Sequence, residues 1–132
     1  QTVVPNRNMV MLSLATSFAI GIKADKLFYG AHSGDHDIYP DCRVEFVEQL
    51  AKTIQLCDWN PVTLEAPYLE IDKGDIAIKG KELGVDYSLT WTCYKGKEYS
   101  CGQCGSCTER LEAFEKAGIK DPLQYAKARV MG

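Results

Sequence analysis

Four cysteines in the last third of the chain constrain its fold more than any other feature. Three of them are separated by two residues each, and the fourth lies upstream with seven residues in between. The four are Cys93, Cys101, Cys104 and Cys107. Gaps of two residues allow thiolates to turn onto one centre, because Gly102 and Gly105 let the backbone fold as a tight knuckle. Four thiolates fill a tetrahedral ion and leave no position for substrate, so the spacing predicts a structural zinc site.

Two other uses of these cysteines remain open. The spacing also begins the bacterial ferredoxin pattern, but that pattern continues with a cysteine and a proline where this chain has residues 108–111, which favours zinc over an iron–sulfur cluster. Disulfides require an oxidising compartment, yet no basic and apolar leader stands at Gln1, and Cys42 and Cys57 lie alone. We therefore expect reduced thiols and a cytoplasmic protein.

Composition narrows the class of protein. With 132 residues, 45% hydrophobic residues and a formal net charge of -3, the chain suits one domain or the larger part of one. No basic run alternates with aromatic residues, so nucleic acid is not an expected partner. The apolar stretch at residues 9–22 is shorter than the ~20 residues that a bilayer requires, and it predicts a buried helix and no membrane partner. Because this helix follows almost directly on Gln1, we expect the sequence to be part of a longer chain.

Hydrophobic periodicity predicts an alternation of helices and strands. Helices are predicted over residues 9–22, 43–56, 72–83 and 104–118, strands over residues 26–31 and 62–66, and an extended segment over residues 87–91. The first helix is apolar nearly all round, which predicts burial on both sides, and Cys107, Leu111 and Phe114 share one face of the last helix. This order predicts an α/β layer with a parallel sheet, followed by a metal-pinned tail.

A polar loop follows the first predicted strand. Residues 30–43 hold carboxylates, imidazoles and a guanidinium within a short connection. Ligands of open α/β sheets bind beyond the carboxyl ends of the strands, so this loop predicts a binding or catalytic site. Each residue also has a structural explanation, such as Asp41 as a helix cap. Arg7, just before the first helix, adds a donor where a helix start favours anions, although Asn6 or Asn8 there also suits an ordinary cap.

Five segments together resemble one family. They are Val4-Pro5-Asn6-Arg7-Asn8, Gly30-Ala31-His32-Ser33-Gly34-Asp35-His36, Tyr39-Pro40-Asp41-Cys42-Arg43-x-Glu45-Phe46, Thr92-Cys93-Tyr94, and the last three cysteines followed by Arg110. In this order, and over nearly the whole chain, they resemble the 7-cyano-7-deazaguanine synthases of queuosine-precursor biosynthesis. The resemblance implies a partial α/β, parallel-sheet, Rossmann-like layer of a pyrophosphatase-loop ATP enzyme with a zinc-pinned helical C-terminal tail. The ligase domain would span residues 1–90 and the tail residues 91–132.

The resemblance also implies an activity. It is an ATP-dependent carbon–nitrogen ligase that converts 7-carboxy-7-deazaguanine and ammonia to 7-cyano-7-deazaguanine through adenylated intermediates. ATP with Mg²⁺ would be a substrate, one structural Zn²⁺ would be bound by the four cysteines, and the protein would be a homodimer. The candidate catalytic residues are Asp35, His36 and Asp41, and the candidate substrate-binding residues are Arg7, Asn8, His32, Tyr39 and Arg43.

One family feature is missing from this sequence. The Ser-Gly-Gly-x-Asp-Ser loop that grips nucleotide phosphates in the family does not occur in the chain. The chain corresponds to the later part of a family member, so we expect it to be inactive alone. A zinc-stabilised interaction module and an iron–sulfur electron carrier are the alternative functions.

Overall fold

The computed structural model describes residues 4–96 and 98–126. The chain forms two compact units, of which the first ends at Asp72 and the second begins at Lys73. The boundary predicted at residue 90 concerns functional domains and stays a prediction. Among the described residues, no helix has both the length and the apolar character needed to cross a membrane.

The first unit is an α/β layer. Its elements are α1 (Arg7–Gly21), β1 (Lys26–Phe28), α2 (Val44–Ile54) and β2 (Thr63–Glu65). The two strands pair in parallel, with Leu27 opposite Leu64, and α2 lies in the connection between them. Residues of α2 at helical spacing are buried with the strand residues in one core, which contains Leu12, Ala19, Val47, Leu50, Ile54, Val62 and Leu64. The predicted α/β class with a parallel sheet is confirmed.

Helix α1 buries only one of its faces in this unit. Leu12, Thr16 and Ala19 are buried, whereas Leu14 and Phe18 are 68% and 69% exposed. The predicted burial on both sides is therefore wrong for the described residues, because two strands of three residues each cover only one side of a helix. Asn6 occupies the cap position with a left-handed backbone, φ 58°, and its side chain makes no cap hydrogen bond.

The second unit contains two helices, α3 (Lys73–Glu82) and α4 (Gly105–Lys116). They are linked by ion pairs between Lys73 and Glu109 and between Lys116 and Asp75. The four predicted helices are confirmed, and their ends agree within two residues.

The segment predicted to be extended over residues 87–91 is wrong at its start. Tyr87–Leu89 forms a 3-10 turn, and the Asp86 carboxylate accepts hydrogen bonds from the amide and the hydroxyl of Ser88 at 2.9 and 2.6 Å. An aspartate two residues before a serine favours such a turn, and this local bond outweighs the apolar alternation.

Helix α4 buries a different face from the one predicted. Cys107, Ala113 and Phe114 are buried as expected, but Leu111 is 40% exposed and Arg110 is 5% exposed. The prediction for Leu111 is wrong, because the guanidinium of Arg110 finds enough partners to occupy the buried position itself.

Candidate functional site

The four predicted cysteine ligands converge in the second unit. Their sulfur atoms all lie within 4.8 Å of one another, and three of the separations are 3.5, 3.9 and 4.0 Å. A tetrahedral ion with Zn–S bonds of about 2.3 Å requires sulfurs about 3.8 Å apart. The cluster could therefore hold one tetrahedral metal ion, and the donor set fits zinc.

Backbone geometry explains how the cysteines meet. Gly102 has a φ of 69°, which an L side chain rarely adopts. At Gly96 a Cβ atom would lie 2.2 Å from the carbonyl oxygen of Tyr99, so the close turn there requires glycine. Gly105 has no positive φ and begins α4 with open space around it. The knuckle therefore requires Gly102, as predicted, but does not require Gly105.

The electrostatic environment of the cluster suits thiolates. The amides of Cys101 and Gly96 donate to the Cys93 sulfur at 3.3 and 2.9 Å, and these hydrogen bonds lower the pKa of Cys93 to about 6. Burial raises the pKa of Cys107 to about 12. A bound divalent cation would remove that proton as well, because it stabilises the thiolate far more than the thiol.

The segment after α4 returns to the cysteines. The Ser100 amide donates to the Gln124 carbonyl at 3.2 Å, the Ala126 amide donates to the Ser100 carbonyl at 2.8 Å, and Tyr125 packs against the cysteine cluster. Asp121 accepts two hydrogen bonds from Arg110, at 2.7 and 3.0 Å, and one from Tyr125. Sequence reasoning missed Asp121 and Tyr125, and only the position of Arg110 on the buried face of α4 could have indicated a carboxylate partner.

A second candidate region lies in the first unit. A cavity of about 300 Å³ lies between the start of α1 and the 3-10 turn Pro40–Cys42. It is lined by Val4, Pro5, Asn6, Arg7, Asn8, Tyr39, Pro40 and Asp41. Four of the predicted site residues, Arg7, Asn8, Tyr39 and Asp41, are thus brought together. The cavity combines a cation and a helix start on one wall with a carboxylate on the other.

The two histidines of the polar loop differ in their surroundings. His32 is 7% exposed, and its Nε2 lies 3.2 Å from Oδ2 of Asp35. The carbonyl of Asp35 accepts a hydrogen bond from the Tyr39 amide at 2.8 Å, which joins this pair to the cavity wall. His36 has a buried Nε2 without a hydrogen-bond partner among the described residues, and its carbonyl accepts a hydrogen bond from Nε of Arg43 at 2.7 Å. His36, Arg43, His32 and Asp35 do not line the cavity itself.

Comparison with known proteins decides the family. The family model described as "Queuosine biosynthesis protein QueC" matches residues 1–118 of the chain. The chain belongs to this QueC family. The resemblance predicted from the sequence motifs is therefore confirmed.

Relatives of the QueC chain bear a more specific name. Proteins named 7-cyano-7-deazaguanine synthase from Caldicellulosiruptor saccharolyticus and Methanoregula boonei are 68% and 67% identical to it over 125 residues. The protein of that name from Caldicellulosiruptor bescii is 61% identical over the same length. Each alignment covers 95% of this chain but only 56 to 58% of the relative. The chain thus spans a little over half the length of these relatives, and the family associates it with queuosine biosynthesis.

Proposed function

We propose that this chain is part of a 7-cyano-7-deazaguanine synthase, an ATP-dependent ligase that acts on 7-carboxy-7-deazaguanine and ammonia. The observation that carries the proposal is the 68% identity, over 95% of the chain, with a protein of that name. The cavity in the first unit supports it, because its lining offers both a cation and a carboxylate to a polar heterocycle that bears an anionic group.

The reaction requires the same carbon to be activated twice. A carboxylate oxygen attacks the α-phosphorus of ATP and displaces pyrophosphate, which turns that oxygen into a leaving group. Ammonia then attacks the carboxyl carbon, and AMP leaves with the C–O bond to give the amide. The amide oxygen is adenylated by a second ATP, and loss of AMP and of the nitrogen protons gives the nitrile. Each nitrile therefore consumes two ATP and releases two AMP and two pyrophosphates.

Binding of the anionic groups falls to the start of α1. Arg7 supplies a guanidinium, and the first turn of a helix of 15 residues presents the positive end of its dipole. Asn8 adds a neutral donor, while Tyr39 and Asp41 offer hydroxyl and carboxylate oxygens from the opposite wall. In this proposal Asp41 accepts hydrogen bonds from N–H groups of the deazaguanine. Each adenylation gains most from donors placed where negative charge develops.

Proton removal falls to the polar loop. The Nε2 of His32 lies against Asp35, and such a pair can accept the proton that ammonia loses when it attacks. His36 has a buried ring nitrogen with no described partner, which supports a contact with the reacting groups, since buried polar atoms are otherwise paired. Arg43 holds the His36 carbonyl and thereby the shape of the loop. Mg²⁺, when bound with ATP, would neutralise the phosphates.

The cysteine cluster serves as a structural zinc site in this proposal. Four thiolates close the coordination sphere and leave no site for substrate. Elemental analysis of protein purified under reducing conditions should give one zinc per chain and a colourless solution. A brown protein that absorbs in the visible range would instead indicate an iron–sulfur cluster.

The substitution Asp41→Ala tests the proposed function. In a complete synthase that carries this sequence, it should lower nitrile formation by about 100-fold or more, because misplaced substrate loses most of its proximity advantage. Asp58→Ala is the matched control, since Asp58 is an exposed aspartate that accepts only a local hydrogen bond from the Asn60 amide at 2.8 Å. Chromatography of the deazaguanine products measures both. Full activity of Asp41→Ala would place the site elsewhere.

A further inference from the structure

A series of three hydrogen bonds connects the two walls of the cavity. The Tyr29 hydroxyl, just after β1, donates to the Asp41 carbonyl at 3.1 Å and lies 3.3 Å from the Cys42 sulfur. The side-chain amide of Asn8 donates to the same sulfur at 3.6 Å. Asn8 and Asp41 line the cavity on opposite sides, whereas Tyr29 and Cys42 do not line it. The two walls are therefore joined through two residues that stand behind them.

The direction of these bonds follows from the number of protons. A phenol has one proton, and Tyr29 uses it in the bond to the Asp41 carbonyl. The Cys42 thiol must then donate to the Tyr29 oxygen and accept from Asn8. Burial raises the pKa of Tyr29, as does its hydrogen bond with Cys42, and burial also raises the pKa of Cys42. Both groups therefore keep their protons at neutral pH, as the series requires.

We infer that Tyr29 is a positioning residue for the ligand cavity, which through Cys42 holds Asn8 and Asp41 at the separation that the ligand needs. The inference rests on the proposed function of the cavity and adds a residue to it. Cys42 is 5% exposed, so its contacts are made inside the protein, where a lost partner is not replaced by water.

Removal of the Tyr29 hydroxyl should affect the ligand more than the fold. Without it, the Asp41 carbonyl and the Cys42 thiol each lose a partner, and the turn Pro40–Cys42 is free to shift relative to α1. A displacement of about 1 Å at a site that orients substrate can cost about 100-fold in rate.

A matched pair of tyrosine variants tests the inference. Tyr87 is also half-buried, and its hydroxyl also donates to a backbone carbonyl, that of Ala77 at 2.7 Å, but it lies in the second unit. Tyr29→Phe and Tyr87→Phe therefore remove the same kind of bond. Both are made in a complete synthase that carries this sequence, and kcat, the KM of each substrate and the melting temperature are measured for each variant.

The expected result separates the two variants. Tyr29→Phe should lower kcat/KM by about 10- to 100-fold, mainly through the KM of the substrate that occupies the cavity, with the KM of the other substrate unchanged. Tyr87→Phe should lower the melting temperature by a similar amount and leave kcat/KM unchanged. Equal kinetic effects of the two variants, or an equal rise of both KM values in Tyr29→Phe, would overturn the inference.

A second readout does not depend on the activity. If the unsubstituted protein makes no nitrile, the proposed function fails, and the hydrogen-bond series is then judged by alkylation of Cys42 with iodoacetamide, followed by mass spectrometry of the 132-residue chain. Exposed Cys57 serves as the internal reference. Tyr29→Phe should accelerate alkylation of Cys42 at least about 10-fold while Cys57 reacts at an unchanged rate, because a freed thiol samples open positions. An unchanged rate at Cys42 would show that Tyr29 does not hold it.

Discussion

Arg110 shows how this chain can bury a charge. Its guanidinium forms a bidentate pair with Asp121, donates to the Thr90 hydroxyl at 2.8 Å and to the Tyr87 carbonyl at 3.2 Å, and stacks 4.6 Å above the ring of Phe114. Burial alone would raise the pKa of Asp121, but the hydrogen bonds from Arg110 and Tyr125 outweigh it and hold that pKa below its usual range. The pair is therefore ionised and fully bonded at neutral pH.

Breaking this pair should be costly. Arg110→Met leaves the Asp121 carboxylate buried without its cation, so we expect the free energy of unfolding of the second unit to fall by about 3–5 kcal/mol. Lys116→Met removes an ion pair with Asp75 whose side chains are 47% and 40% exposed, and it should cost less than about 1 kcal/mol. Urea unfolding followed by circular dichroism, at a fixed zinc concentration, compares the two variants. Equal losses would contradict the structural role of Arg110.

The site residues show what a motif predicts and what it does not. The motifs around Arg7 and Asp41 indicated a site, and the structure places both residues on one cavity. The motif could not reveal that His32, not His36, faces Asp35, because the order of residues does not fix the direction of side chains in a turn. Tyr29 was assigned only to a strand, because the partners of its hydroxyl lie twelve and thirteen residues away in sequence.

Helix positions followed from the sequence, but their exposed faces did not. The apolar residues of α1 predicted the helix correctly, yet periodicity cannot tell which apolar face is covered. That depends on how many strands and helices pack against it. The error at Tyr87–Leu89 has another cause, since a local carboxylate hydrogen bond there overrides the alternation typical of a strand.

The two faces of α1 should respond differently to truncation. Leu12 is 6% exposed and belongs to the core, so Leu12→Ala should lower the free energy of unfolding of the 132-residue chain by about 2–4 kcal/mol. Leu14 is 68% exposed, and Leu14→Ala should change it by less than about 0.5 kcal/mol. Urea unfolding of both variants gives the comparison. A loss for Leu14→Ala as large as that for Leu12→Ala would show that the exposed face is packed in solution.

The cysteine segment depends on its metal in the same way as other small metal sites. Cys104 immediately precedes α4, and its sulfur lies 3.5 and 4.0 Å from those of Cys107 and Cys93. Cys104→Ser should abolish stoichiometric zinc binding and the hydrogen-exchange protection of α4, because metal binding is coupled to folding. Cys57→Ser is the control, since Cys57 is exposed and outside the cluster. Retention of one zinc per chain in Cys104→Ser would contradict the four-thiolate site.

The length of the relatives bears on the whole protein. The matched part covers 56% of the relative from Caldicellulosiruptor saccharolyticus, although it covers 95% of this chain. Both candidate regions lie within the matched part, the cavity in the first unit and the cysteine cluster in the second. Activity therefore has to be measured on a protein of the relatives' length, while metal binding can be measured on the chain itself.

ATP turnover should separate the chain from the complete protein. The sequence has no Ser-Gly-Gly-x-Asp-Ser loop, and the described cavity offers a single guanidinium, that of Arg7, to a triphosphate that carries several negative charges. Each adenylation needs donors on the phosphates, so we expect no AMP release from the 132-residue chain supplied with ATP, Mg²⁺, ammonia and 7-carboxy-7-deazaguanine. A complete synthase that carries this sequence should release two AMP for each nitrile. Chromatographic AMP measurement decides the matter, and substantial AMP release from the chain alone would show that its own residues suffice for adenylation.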